Sequence, residues 1–316
     1  NMALTNFPNG ISSFGIPLIG SGPILTTGSV FFVSSVTGSN GNDGLSAGRP
    51  WATVDYAVGR CAANNGDHVI VMPNHAETST NTAGYWAFDV AGITFIGIGR
   101  YNQRPRLLLD AGTSASITVS AADVTLKNFE IASGTADTVN AIDVTAVGAW
   151  FDEIEFNDNA ADENFFVAID AAGTTDEEVA GLSVTRCRYV TADANTQQFV
   201  RLASDVTNFV FTDNLMISEG TAVESPIECA TGKDLKRCLV LRNYVSHKQG
   251  SGNLFITNDT ATPNNSGVIA HNRIGHADTT TQHVLGVVGG CRMFDNLSVS
   301  TDALSGFVIP AIDVDS

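Results

Sequence analysis

The 316-residue chain is 43% hydrophobic and only 16% charged, which excludes a disordered protein and provides for a large core. Sixteen Lys and Arg against 33 Asp and Glu give a formal net charge of −17, and this argues against nucleic acid or an anionic membrane as partner, since either needs a basic footprint. No run approaches the roughly 18 apolar residues of a membrane span.

Residues 1–29 place apolar Phe7, Ile11, Phe14 and Ile16 among Pro8, Pro17, Pro23 and several glycines. That spacing forbids a regular helix and leaves too little chain for a core, so these residues are expected to form an extended arm that lies on another surface. Asn1-Met2-Ala3-Leu4 lacks the basic start of a secretory signal. Residues 30–66 begin with a strand at Val30. A turn-rich G-S-N-G-N-D-G comes after it, then Trp51, Val54, Ala57, Val58 and Cys61 at helical spacing after Pro50, which predicts a helix capping the open end of the coils. Those coils run from residue 67 to 316, beginning with the strand H-V-I-V at His68.

A short pattern recurs in the coils. F-T-D-N at Phe211, V-L-R-N at Val240, I-A-H-N at Ile269 and M-F-D-N at Met293 each end on an asparagine, namely Asn214, Asn243, Asn272 and Asn296. The intervals are 29, 29 and 24 residues. Upstream, in L-K-N-F, F-D-E-I and V-T-R-C, the same position is held by Phe129, Ile154 and Cys187, all apolar, so the marker side chain points inward. A second strand recurs between markers, at Ala141, Phe166, Phe199, Pro226, Leu254, His283 and Phe307. Interleaved strands at a fixed period define a solenoid, here an all-β parallel one. Stacked coils about 4.8 Å apart would set each Asn on the next as a hydrogen-bonded ladder; the competing reading is four ordinary Asn turns.

Candidate chemistry is sparse. Asp152, Glu153 and Glu155, with Asp143 and Asp170 on adjacent coils, form the densest acidic cluster. Paired carboxylates about 5–10 Å apart would suit glycoside hydrolysis, with Glu153, Glu155 and Asp170 as the catalytic set; solvated surface is the competing reading. Asn40–Gly44 resembles a calcium loop only weakly and reads as a turn. Five cysteines without C-x-x-C spacing read as buried thiols, and His271 and His276, flanking Asn272, lack the company of a metal site. Neither metal nor cofactor is expected.

V-T-G-S-N-G-N-D-G-L-S-A-G-R-P-W-A-T-V-D-Y-A-V, continuing into G-D-H-V-I-V, resembles the opening segment and capping helix of right-handed parallel β-helix proteins of the pectate-lyase-like superfamily. T-N-F-P-N-G-I-S-S-F-G-I-P is similar to the start of small β-helix proteins of tailed-bacteriophage virions. Together they cover about the first hundred residues. The resemblance implies a right-handed parallel β-helix with a short N-terminal capping helix and an extended N-terminal arm. The superfamily's V-W-I-D-H, R-x-P-x-x-R, N-T-D and G-H-G segments do not occur. The expected function is therefore that of a non-enzymatic virion structural protein, a capsid decoration or cement protein anchored through Phe7, Ile11, Phe14 and Ile16 to the major capsid protein or another virion protein. It would fold in the host cytoplasm and sit as a homotrimer on the virion's outer surface. The alternative is a tailspike or receptor-binding protein that binds or cleaves a surface glycan of the host. Few residues precede the helix for a particle-binding domain, which favours decoration.

Overall fold

The computed structural model describes residues 11–13, 16–19, 22–23, 26–80, 84–158, 163–173, 178–191, 198–218, 225–247, 255–258, 264–276, 290–300 and 308–310. The chain winds into a right-handed parallel β-helix in which three sheets enclose one core. Among the described residues, sheet I has ten strands from Val30–Val33 to Cys291–Phe294, and sheet II has nine parallel strands from Ala76–Thr78 to Leu297–Ser300. Sheet III has seven, from Trp86–Phe88 to Ile256–Asn258, so about seven three-sided coils are complete.

In-register pairing turns sequence alternation into columns. Phe95, Leu126, Phe151, Val184, Phe211, Val240 and Ile269 stack along the inner face of sheet I. Opposite them, Trp86, Ile117, Ile142, Ile169, Val200, Ile227 and Ile256 line sheet III. All are buried, each contributing roughly 1.5–3 kcal/mol. On sheet I the flanking residues face outward, as the two-residue period of a strand requires, whereas on sheet III Phe199, beside Val200, is itself buried against the Phe156 and Phe211 rings.

Between sheets I and II the chain turns a sharp corner. The residue before each marker has positive φ: Asn128, Glu153, Arg186, Asp213, Arg242, His271 and Asp295, all at 52–60°. The marker then points inward, and Phe129, Ile154 and Cys187 are buried, as are the four asparagines. The sequence pattern therefore spans two strands and a corner, and the solenoid has three sheets where the pattern predicts two strand series.

Each asparagine clamps the coil before it. Asn243 donates from Nδ2 to the Phe211 carbonyl at 2.8 Å and accepts at Oδ1 from the Asn214 backbone N–H at 2.9 Å. Asn272 makes the same pair with the Val240 carbonyl (3.0 Å) and the Asn243 N–H (3.0 Å), and Asn296 with the Ile269 carbonyl (2.8 Å) and the Asn272 N–H (3.1 Å). Asn214 bonds the Val184 carbonyl and the Cys187 N–H. The carbonyl and N–H stand three residues apart across the corner, so one amide satisfies both buried backbone groups.

At the N-terminal end, sheet I begins ahead of the predicted first coil, because Val30–Val33 pairs in parallel with His68–Val71. The helix is confined to Val54–Val58: Thr53 caps it and Gly59 closes it, while Trp51 bridges to Val33 as extended chain. The turn before it is structural. Asn40 Oδ1 accepts from Ala52 N–H at 2.9 Å, Asn42 donates to the Pro50 carbonyl at 2.8 Å, and Gly44 lies against the Trp51 ring, where a Cβ would come within 2.4 Å. Buried Asp67 accepts from the Ser29 and Ala62 N–H groups, both at 2.7 Å, tying strand, helix exit and first coil together.

Within the arm, Ile11–Ser13, Ile16–Ile19 and Gly22–Pro23 pair as an antiparallel three-stranded ribbon. Of the recurring second strands, the one predicted at His283 lies outside the described residues. The one predicted at Phe307 is Val308–Pro310, which pairs antiparallel with Leu297–Ser300 and closes sheet II instead of adding to sheet III.

Candidate functional site

The positive-φ corner residues form a ridge along the solenoid, and from Glu153 through Arg186 and Asp213 to Arg242 their charges alternate, with His271 and Asp295 following. Neighbours along it pair. Arg186 lies 3.6 Å from Glu153, Arg242 holds Asp213 through two bonds of 2.7 Å, and His271 is 3.6 Å from Asp295. The two hydrogen bonds from Arg242 hold the Asp213 carboxyl below its ordinary range.

Beside the N-terminal half of this ridge runs a cleft of about 980 Å³. Its outer wall is the loop after strand Thr94–Gly97, which contains the short 3-10 turn Tyr101–Gln103. Asn128 pins that loop from the ridge, donating to the carbonyls of Gly97 (2.7 Å) and Gly99 (3.0 Å) and accepting from Arg104 Nε (3.0 Å). Tyr101, with φ of 52° and 87% of its surface exposed, stands at the lip. Five cationic side chains and three carboxylates line the cleft: Arg100, Arg104, Lys127, Arg186 and Arg188 against Glu130, Glu153 and Glu155.

The carboxylates predicted as catalytic fall into two places. Glu153 and Glu155 lie in the cleft, whereas Asp170 lies on sheet III beside Asp143 and is gripped by Arg201 through bonds of 2.8 and 2.7 Å. That carboxylate in turn raises the Arg201 pKa. Within the cleft each acid is matched. Glu155 accepts from Arg104 on one oxygen and from Arg188 at 3.0 Å on the other. Glu153 lies 3.6 Å from both Lys127 and Arg186. Asp152 is not surface at all: its side chain is fully buried under Lys127 (2.8 Å), Thr185 (2.8 Å) and Arg186. Among the described residues, no group of three or more His, Cys, Asp or Glu is placed to hold a metal ion. His276 is buried against Ser298, and His271 belongs to the ridge.

Arg104, Lys127, Arg186, Arg188 and Tyr101 carry no motif that marks them in the sequence. Aligning the coils on the marker does bring out Glu155 and Arg188 together: the position after it reads Glu130, Glu155, Arg188, adjacent in register on sheet II. Arg104 gives no such signal, since its partner lies 51 residues on. Of the arm residues, Ile11 and Ile16 sit in the antiparallel ribbon, and Phe7 and Phe14 lie outside the described residues.

No family model matches the chain, and no curated protein matches it in sequence. Among solved structures it is similar to a rhamnogalacturonan lyase, at 12% identity and a TM-score of 0.46 over 84% of each chain. It is also similar to a GH136 lacto-N-biosidase from Eubacterium ramulus, at 11% identity and a TM-score of 0.42 over 84% of this chain and 68% of that one.

Proposed function

We propose that this chain is a non-enzymatic structural protein of a tailed-bacteriophage virion, a decoration protein on the outer capsid surface held to the major capsid protein by residues 1–29. The observation that carries the non-enzymatic part is the pairing of the acids. A general acid or base must hydrogen-bond the reacting group, and both oxygens of Glu155 are already occupied by guanidinium groups while Asp152 is sealed from solvent. Asp170, bidentate with Arg201 on another sheet, is likewise committed. The particle assignment is supported by the likeness of the opening residues to virion β-helix proteins and by the apolar side chains of the arm. Removing residues 1–29 is expected to leave a β-rich protein with a nearly unchanged melting temperature that no longer joins particles lacking the native copy. Normal binding by the truncated chain would move the anchor to the solenoid flank.

A second reading, a receptor-binding protein for a host surface glycan, is favoured by the cleft: it carries more cations than carboxylates on a chain of net charge −17, and it presents an exposed tyrosine at its lip. A glycan array with the purified chain separates the two, because binding that disappears in Tyr101→Ala and Arg104→Ala supports the receptor reading over decoration.

A further inference from the structure

Three thiols lie in the C-terminal coils, away from the cleft. Cys229 ends the sheet III strand Ile227–Cys229, while Cys238 and Cys291 open the sheet I strands Cys238–Leu241 and Cys291–Phe294. The register sets Cys238 beside Gly267 and Gly267 beside Cys291, so the two cysteines occupy one column two coils apart. Gly267 leaves that column open: its φ is 135°, and a Cβ on it would stand 2.8 Å from Cys238 Sγ. Across this notch the two sulfurs approach to 3.9 Å.

Distance decides what such a pair can do. Two strand spacings of about 4.8 Å put the backbones roughly 9.6 Å apart, whereas a disulfide requires Cα atoms within about 7 Å and sulfurs about 2.05 Å apart. A direct sulfur–sulfur bond would therefore compress the coils. A metal–thiolate bond is about 2.3 Å, so two sulfurs facing one ion from opposite sides stand roughly 4.6 Å apart, and the notch supplies that span with a shift of less than about 1 Å. Thiolate pairs select soft ions.

We propose that Cys238 and Cys291 form a two-coordinate site for a soft closed-shell monovalent cation of the Cu(I) and Ag(I) class, bridging the last coils across the Gly267 notch. Two S–H bonds break, two metal–sulfur bonds form, both protons leave to solvent, and no electron moves. Cys238 is fully buried and Cys291 partly exposed, so the ion reaches the site from the Cys291 side.

Ag(I) added to the reduced full chain in chloride-free buffer is the probe. The expected result is one tightly bound equivalent, release of about two protons at neutral pH, and an X-ray absorption spectrum with two sulfur ligands on the ion. Cys291→Ser, a change at a partly exposed position, should abolish the two-sulfur shell, and Cys61→Ser should keep it. Because the spectrum of the unmodified chain stands without any variant, a shell containing nitrogen or oxygen donors, or an unchanged two-sulfur shell in Cys291→Ser, overturns the proposal.

Discussion

Asn243 touches three coils through one amide: its side chain bonds Phe211 and Asn214 behind it, and Asn272 Oδ1 ahead of it at 2.9 Å. Asn243→Leu is isosteric enough to remain inside but leaves a buried carbonyl and a buried N–H unpaired, at about 1–3 kcal/mol each. The adjacent Arg242→Ala removes only an exposed ion pair, worth at most about 1 kcal/mol. Chemical denaturation of the two variants should rank them in that order, and equal small losses would refute the clamp. The buried thiols make a second residue-scale prediction. Burial pushes Cys187 and Cys229 up to about 12, from an ordinary value of 9.0. The unfolded chain therefore loses these protons first, so this contribution to stability is complete below about pH 9 and declines as pH rises toward 12. Replacing Cys187 by Ala should flatten that alkaline decline in a pH series of melting curves.

At the scale of elements, the capping segment is held by one carboxylate. Glu77 accepts from the Val54 N–H at 2.7 Å and the Trp86 indole at 3.0 Å, and it faces His75 Nε2 at 2.7 Å. His75 Nδ1 accepts from Ser35 N–H, which leaves the proton on Nε2 and aims it at Glu77. Glu77→Ala strands these donors and is predicted to cost at least about 2 kcal/mol, with amide exchange at Val54 rising before that of the later coils. The β-helix and its cap are legible in the sequence because both repeat or pack by side-chain type: inward markers are apolar or Asn, and Val54, Ala57 and Val58 are the buried residues of the helix. The corner is not legible, because positive φ is carried here by Glu153, Arg186 and Arg242 as well as by the Asn, Asp and His that favour it. Those longer side chains sit on the ridge with partners one coil away, a relation that local sequence does not contain. The cleft is hidden for the same reason, since Glu155 meets Arg104 and Arg188 only after the chain has coiled.

For the whole molecule, the repetition of the asparagine clamp from coil to coil means that length comes in units. Each clamp binds the same two backbone groups of the preceding corner, so a corner does not distinguish its own successor from the one after it. Excising residues 215–243, the 29-residue step from one clamp to the next, would join Asn214 to Tyr244 and offer the Phe211 carbonyl and Asn214 N–H to Asn272. The shortened chain should fold as a solenoid one coil shorter, with an unchanged β-type circular dichroism spectrum and a single melting transition. An excision two residues longer would set inward side chains against a displaced corner and is expected to yield insoluble protein. In genetic terms, the seam makes the rod tolerant of duplication and loss of whole coils, so that its reach can vary by in-frame recombination while both ends stay as they are.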